Sequence, residues 1–207
     1  MPENTEFRKG GNTKALIEEA AMELFAENGY NGTSVRKIAS KVGIRESAIY
    51  NHFANKEAIL IAISARVFAS PFGEQKSDDF IREQALKGRN FLYKFMTEFK
   101  LVTFDKKHEK LFRFMIIELM QNGVLRESFR HEFHDANVKL LSSALFVMMQ
   151  EGLIRSEDPM VLANAFLGQL FYLRMQVSLL KADAKPTTPL STAFEKQLDL
   201  FWSSIAV

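Results

Sequence analysis

The chain has 207 residues, 47% of them hydrophobic and 25% charged, with a net charge of +2. That length buries a real core, that composition excludes a disordered chain, and the near-neutral total confines any nucleic-acid surface to a local patch. Cysteine is absent, which excludes disulfides, zinc–thiolate sites and a cysteine nucleophile, and fits a reducing, cytoplasmic setting.

Residues 1–11 read as a mobile basic tail ending in Gly10-Gly11, without the apolar stretch of a signal peptide. No run of about 18 apolar residues appears anywhere, so no membrane span is expected. The spacing of Ile17, Ala20, Ala21, Leu24 and Phe25 predicts a helix over 12–28, capped by Asn12 or Thr13 and ended by Asn28-Gly29. Thr33 is placed to cap a second helix with the stripe Val35, Ile38, Ala39 and Val42, and Gly43 ends it. A short helix over about 45–52 follows, and Asn55 caps another that runs to about residue 69. The stretch SPFGEQKSDD, 70–79, reads as a break between domains.

Beyond it the period stays helical, with expected spans of about 78–102, 107–121, 125–153, 158–181 and 188–206. Asp158-Pro159 is a cap followed by a first-turn proline. No strand pattern, repeat or low-complexity segment interrupts the series, so the fold class is all α. Of the 19 phenylalanines only Phe7, Phe25 and Phe53 lie before residue 67, which makes the C-terminal region unusually aromatic.

The stretch 34–60 pairs two short helices across one glycine, a helix-turn-helix. The residues Val35, Ile38, Ala39, Val42, Ile44, Ala48 and Ile49 supply its core, leaving Arg45, Glu46, Ser47 and Asn51 to face outward. Between Thr33 and Lys56 stand five basic residues, Arg36, Lys37, Lys41, Arg45 and Lys56, against Glu46 alone, while the first helix carries Glu18, Glu19, Glu23 and Glu27. Such segregation suits phosphate binding, although a solvated charged face on an ordinary helical hairpin has the same pattern.

The words AAMELFAENGYNGTSVRKIASKVGI and AIYNHFANKEAIL make residues 12–60 resemble the DNA-binding domain of the TetR family of bacterial transcriptional repressors. EGLIRSEDPMVLANAFLG, more loosely, resembles the family's entry into its eighth helix. The resemblance implies an N-terminal three-helix helix-turn-helix DNA-binding domain, 1–60, and a C-terminal helical ligand-binding and dimerisation domain, 61–207. It implies that Thr33 caps the second helix and touches phosphate, that Tyr50 contacts phosphate, that Lys56 holds the DNA backbone, and that His52 fills a site usually Tyr or His. Ser47, Ala48 and Asn51 take the base-facing positions, and Arg36 belongs to the same basic face. Arg45 departs from the family's Ser or Thr at the start of the recognition helix. That change removes a side-chain cap and offers a guanidinium to a phosphate or a guanine.

Helix 158–181 is apolar nearly all round, with Leu162, Ala165, Phe166 and Leu173 on one face and Met160, Ala163, Leu167, Leu170 and Phe171 on another, so it must be covered on both sides. A homodimer is expected, with this helix and the stripe Phe194, Leu198, Phe201 and Ile205 of the last helix forming a four-helix seam. Polar residues inside apolar stripes mark candidate ligand contacts: Asn137, Gln169, Gln176, Tyr172, Tyr93, Arg113 and Glu118, with Gly88 leaving room near the backbone. For each, a satisfied buried hydrogen bond or a seam contact is the plain alternative.

The expected function is a sequence-specific regulator, a repressor released from a near-palindromic double-stranded operator by an apolar or amphipathic effector, with no cofactor. A helical protein-interaction module, or an activator or co-repressor type of regulator, is the alternative. An enzyme would need a site, and only Glu127, His131 and His134 have the helical spacing of metal neighbours. On an exposed amphipathic helix such a trio is more often a solvated surface.

Overall fold

Apolar residues three and four apart build helices here from end to end. The structure is a computed structural model and describes residues 13–68 and 77–207; the expected tail 1–11, the Asn12 cap and most of the 70–79 break lie outside the described residues. Among those residues there is no strand, only an isolated antiparallel bridge between Ile154 and Ala206.

Helix α1 spans Thr13–Gly32 and is kinked at Gly29, whose φ of 71° and ψ of 169° end the regular helix where the Asn28-Gly29 signal predicts. Helix α2 spans Val35–Val42 and stops at Gly43, left-handed at φ 79°. Its cap is a correction to the sequence reading. Ser34 Oγ accepts from the Lys37 N–H at 3.2 Å, and Thr33 is instead buried, donating to the Leu24 and Gly29 carbonyls at 3.0 Å each. Helix α3 is a single turn, Glu46–Ile49, shorter than the expected 45–52 and started by Arg45 without a side-chain cap. Asn55 Oδ1 accepts from the Ala58 N–H at 2.8 Å and starts α4, Lys56–Phe68. Ile17, Ala21, Phe25, Ile38, Ile49, Ile59, Leu60 and Ile63 close one core between these four helices, all fully buried.

The expected helix 78–102 is two helices, α5 at Asp78–Ala85 and α6 at Arg89–Phe104. Gly88 separates them at φ 53° and ψ −125°, a conformation essentially restricted to glycine. Its bare Cα also accommodates Trp202, since an added Cβ would meet that ring at 3.4 Å. Helix α7, Lys106–Leu119, starts at Asp105, whose carboxylate accepts from the Lys107 and His108 N–H groups. Helices α8, Gly123–Ser128, and α9, Ala136–Gln150, are joined by one wide π-helical stretch, Phe129–Asp135. Helix α10 spans Pro159–Ala182, with Asp158 accepting from the Met160 and Val161 N–H groups as its capping pattern predicts. Two helices, α11 at Thr188–Ser191 and α12 at Ala193–Ile205, end the chain.

In the C-terminal region α10 packs against α9, α6, α7 and α12. Its buried face is Ala163, Phe166, Leu167, Leu170, Leu173 and Val177, while Met160, Val161, Ala165, Gly168, Tyr172 and Leu179 are exposed. The expected seam stripe Phe194, Leu198, Phe201 and Ile205 needs correction. All four side chains are buried inside this one chain, against partners that include Phe166 and Phe104. Each such side chain contributes about 1.5–3 kcal/mol on leaving water, so α12 is a core helix before it is anything else.

Gly88→Ala is expected to lower the unfolding free energy by about 1–3 kcal/mol, because alanine must adopt a strained backbone there. Urea unfolding of both proteins measures it, and an unchanged midpoint would mean that the α5–α6 break is set by something other than this residue.

Candidate nucleic-acid interface and effector core

The turn between α2 and α3 brings the basic residues to one exposed surface. Arg36, Arg45, Ser47, Tyr50, Asn51 and His52 are all exposed, Tyr50 at 51%, and Ala48 is half-buried behind them. Ile49 and Phe53 are buried and pin α3 to the head core. The five cations are not equivalent. Lys41 pairs with Glu23 at 2.7 Å, and Lys37 Nζ donates to the Gly32 carbonyl at 2.8 Å. Arg36 and Arg45 form no ion pair or hydrogen bond with any described residue, so both guanidinium groups are free for an anion.

Lys56 is directed inward. Its Nζ donates to the Tyr30 carbonyl at 2.7 Å and the Thr33 carbonyl at 2.9 Å, and lies 4.0 Å from the centre of the Tyr30 ring. Burial lowers its pKa from the usual lysine value, opposed by the charge of Glu118. Glu118 itself, from α7, accepts the Tyr30 N–H at 3.2 Å. The α1–α2 turn is therefore held from two sides, by α4 through Lys56 and by α7 through Glu118. This replaces the expected DNA-backbone role of Lys56 with a structural one. Thr33 is withdrawn from the DNA set for the same reason, since its hydroxyl is buried and donates to carbonyls.

Residues 17–63 match the sequence profile of a family described as bacterial regulatory proteins, tetR family. The fatty acid metabolism regulator protein of Bacillus subtilis (strain 168) is 29% identical over 141 residues, covering 67% of this chain and 69% of that protein. The chain belongs to the TetR family. The class D tetracycline repressor protein of Escherichia coli is 30% identical over 105 residues, so the match spans about half of that relative, 48% of its length. The crystal structure of the transcriptional regulator FadR from Bacillus subtilis in complex with stearoyl-CoA shares the fold, with a TM-score of 0.70 at 23% identity over 91% of this chain and 97% of that one. As a TetR-family protein the chain is a DNA-binding transcriptional regulator and not an enzyme.

Each member of the metal-like trio has a nearby partner of its own. Glu127 pairs with Arg130, His131 with Glu132, and His134 with Asp135 and Asn164, and among the described residues no three such side chains converge on a metal position.

The eight expected ligand contacts do not form one cluster. Tyr93 is exposed, Gly88 lies against Trp202, and Gln176 donates to the Tyr172 hydroxyl at 2.9 Å on an exposed face. Arg113 and Glu118 line a cleft of about 530 Å³ between α1 and α7, with Phe25, Phe114 and Lys110. Asn137 and Gln169 are the two that carry a buried oxygen without a partner; Asn137 Nδ2 donates to the Phe133 carbonyl at 2.6 Å.

Sequence reasoning missed the strongest polar feature of the TetR-family core. Arg174 is 2% exposed, and its guanidinium carbon lies 4.0 Å from the centre of the Phe112 ring and 5.7 Å from that of Phe99. Burial pushes its pKa down to about 9, with the charge of Glu109 opposing the fall. The signal was present in the chain, since Arg174 is the only charged residue between Asp158 and Lys181. Around it runs a continuous aromatic series: Phe112 meets Phe171 at 5.8 Å, Phe171 meets Phe133 at 5.5 Å and Phe129 at 5.8 Å, and Phe129 meets Phe68 at 4.9 Å. Phe68 is the last residue of α4, so this series connects the core to the helix that carries the head.

Lys56→Met is expected to lower the unfolding free energy by about 1.5–3 kcal/mol, the cost of removing charge-assisted hydrogen bonds to two carbonyls. Thermal and urea unfolding check it. A fully stable variant would leave the inward geometry of Lys56 without energetic weight.

Proposed function

We propose that the chain is a homodimeric repressor whose α2–α3 face, within a DNA-binding domain of residues 1–60, binds a near-palindromic operator. Residues 61–207 then form the effector-binding and dimerisation domain. The observation that carries this reading is the pair of exposed guanidinium groups of Arg36 and Arg45, unpartnered among the described residues, beside Tyr50 and Asn51. Arg36, Tyr50 and His52 are assigned to phosphates, which set affinity and salt dependence. Ser47, Ala48 and Asn51 are assigned to base edges, with Arg45 at the start of the reading turn.

Dimerisation is assigned to the outward face of α10. Val161, Ala165, Gly168, Tyr172 and Leu179 form an exposed stripe at helical spacing, with small residues at its centre that let another helix approach closely. Two heads so joined would set their reading turns about 34 to 36 Å apart, one helical turn of DNA.

The effector is an apolar or amphipathic small molecule lodged among the phenylalanines of α6, α7, α9 and α10. Two neighbours are consistent with that chemistry: one relative is named a fatty acid metabolism regulator, and a neighbour of the same fold was solved with stearoyl-CoA. Ligand entry displaces the aromatic series, and Phe68 passes the displacement to α4. Ser64 of α4, buried and 2.7 Å from the Ser128 hydroxyl of α8, ties a second point of that helix to the sensor. Release follows from a difference in effector affinity between the DNA-competent and DNA-incompetent states and from nothing else.

Selection of bound duplexes from a random pool, followed by competition with lipophilic compounds, tests the reading; a near-palindromic consensus that such compounds displace is the expected outcome. Recovery of no sequence preference would contradict it. On the selected operator, Arg36→Ala is expected to reduce the magnitude of the slope of log K against log salt by about 0.9 for each phosphate no longer neutralised, about 2 per dimer. Titration at several salt concentrations measures that slope, and an unaltered value removes Arg36 from the phosphate set.

A further inference from the structure

The Arg174 guanidinium is buried in an aromatic core without a hydrogen-bonded partner on one complete edge. Its Nε and Nη2 are both solvent-inaccessible and both unpartnered. These two N–H groups lie on the same side of the planar guanidinium and point in parallel. That edge matches the two oxygens of a carboxylate in a bidentate fork.

No described residue offers that edge a hydrogen-bond acceptor. Glu109, the acidic residue whose charge reaches Arg174, lies 2.9 Å from the Arg113 Nε and makes no ion pair with Arg174. Phe112 and Phe99 cover the guanidinium by ring contact and supply no acceptor. One helical turn along α10, Ser178 is also buried, and its hydroxyl has no partner. A buried charge with two unmet donors is destabilising unless an anion meets it. Its place in the fold is the junction of α6, α7 and α10, at one end of the aromatic series that leads through Phe171 and Phe129 to Phe68.

We propose that this junction is the headgroup site of the effector, and that the effector is a carboxylate-bearing amphiphile. The Arg174 fork receives the carboxylate, the Ser178 hydroxyl donates to it, and the apolar body lies along Phe112, Phe171, Phe129 and Phe133. The proposal rests on the effector reading above and narrows it from apolar compounds in general to compact organic acids. It also gives the anion a role in switching. Drawing Arg174 toward a carboxylate disturbs its seat on Phe112, which is the first ring of the path to α4.

The test compares acids with their neutral alcohols on the full chain. Dodecanoate is paired with 1-dodecanol, and 4-biphenylcarboxylate with 4-biphenylmethanol, by calorimetry and by the shift in melting temperature. In at least one pair the acid is expected to bind the unmodified protein at least tenfold more tightly than the alcohol. Arg174→Met is expected to abolish that preference while leaving alcohol binding in place, and to melt no lower than the parent in the absence of ligand. Arg174→Lys keeps the charge and loses the fork, and is expected to weaken acid binding at least fivefold; it decides the matter if the methionine variant does not fold. Equal binding of acid and alcohol, or an acid preference that survives in both variants, overturns the carboxylate site and leaves the general effector reading standing. Binding of dodecanoyl-coenzyme A with none of dodecanoate also overturns it, since the thioester has no free carboxylate. Failure of every compound in both pairs and of the thioester overturns the effector reading together with it.

Discussion

The position of the DNA-binding head depends on how the α1–α2 turn is held. Tyr30 is the centre of that junction: its N–H donates to Glu118 of α7, its carbonyl accepts from Lys56 of α4, and its ring lies beneath the same ammonium. The Tyr30 ring also meets Phe25 at 5.5 Å, and Phe25 stacks on Phe114 of α7 at 5.6 Å, so an apolar contact runs parallel to the polar one. Together the two charge-assisted hydrogen bonds of Lys56, partly shielded from water, contribute about 1.5–3 kcal/mol, more than the exposed ion pairs around them. Lys107–Glu19, nearer the start of α1, lies in solvent, where such a pair contributes about 0–1 kcal/mol. The head is oriented by one shielded polar knot and one ring stack, and is only trimmed by surface charge.

That arrangement would give the proposed effector a mechanical route to DNA. The α4 helix touches the knot at its first residue, Lys56, and the aromatic series at its last, Phe68. A shift imposed at Phe68 travels along a rigid helix to the residue that fixes the α1–α2 turn. Packed interiors respond to such a shift by moving to a second arrangement and not by stretching, which is what a switch requires. The wide π-helical stretch at Phe129–Asp135 lies where this series turns from α10 toward α4, and two of its rings, Phe129 and Phe133, stack at 5.1 Å.

Much of this is legible in the sequence, for local reasons. Helix ends set by Gly43, Asn55 and Asp158-Pro159 are readable because cap and breaker chemistry is local. The helix-turn-helix is readable because its core and its basic residues lie within one short stretch. Thr33 and Ser34 are not separable in the sequence because either hydroxyl satisfies the capping pattern, and only the fold shows that Thr33 turns inward to two carbonyls. Lys56 carries the right charge for a phosphate, yet its partners, Tyr30 and Glu118, come from distant points on the chain. The last helix resembles a dimer seam because an apolar stripe does not declare which surface covers it. Gly88 stands out as an interruption that suggests space for a ligand, whereas a positive φ and the Trp202 ring explain it. Arg174 is hidden from a reading that weighs polar residues in helical stripes one at a time. A lone charge in an otherwise uncharged helix is the more informative pattern.

The orientation of the head turns on Glu118 and Lys56 acting through one junction, and a double-mutant cycle addresses that directly. Unfolding free energies of the unmodified protein, Glu118→Gln, Lys56→Met and the double variant give their coupling. The structure predicts a coupling of at least about 0.5 kcal/mol, with the double variant less destabilised than the sum of the single ones. Additivity within about 0.3 kcal/mol would mean that the two residues act independently, and the head would have to be oriented by some other contact.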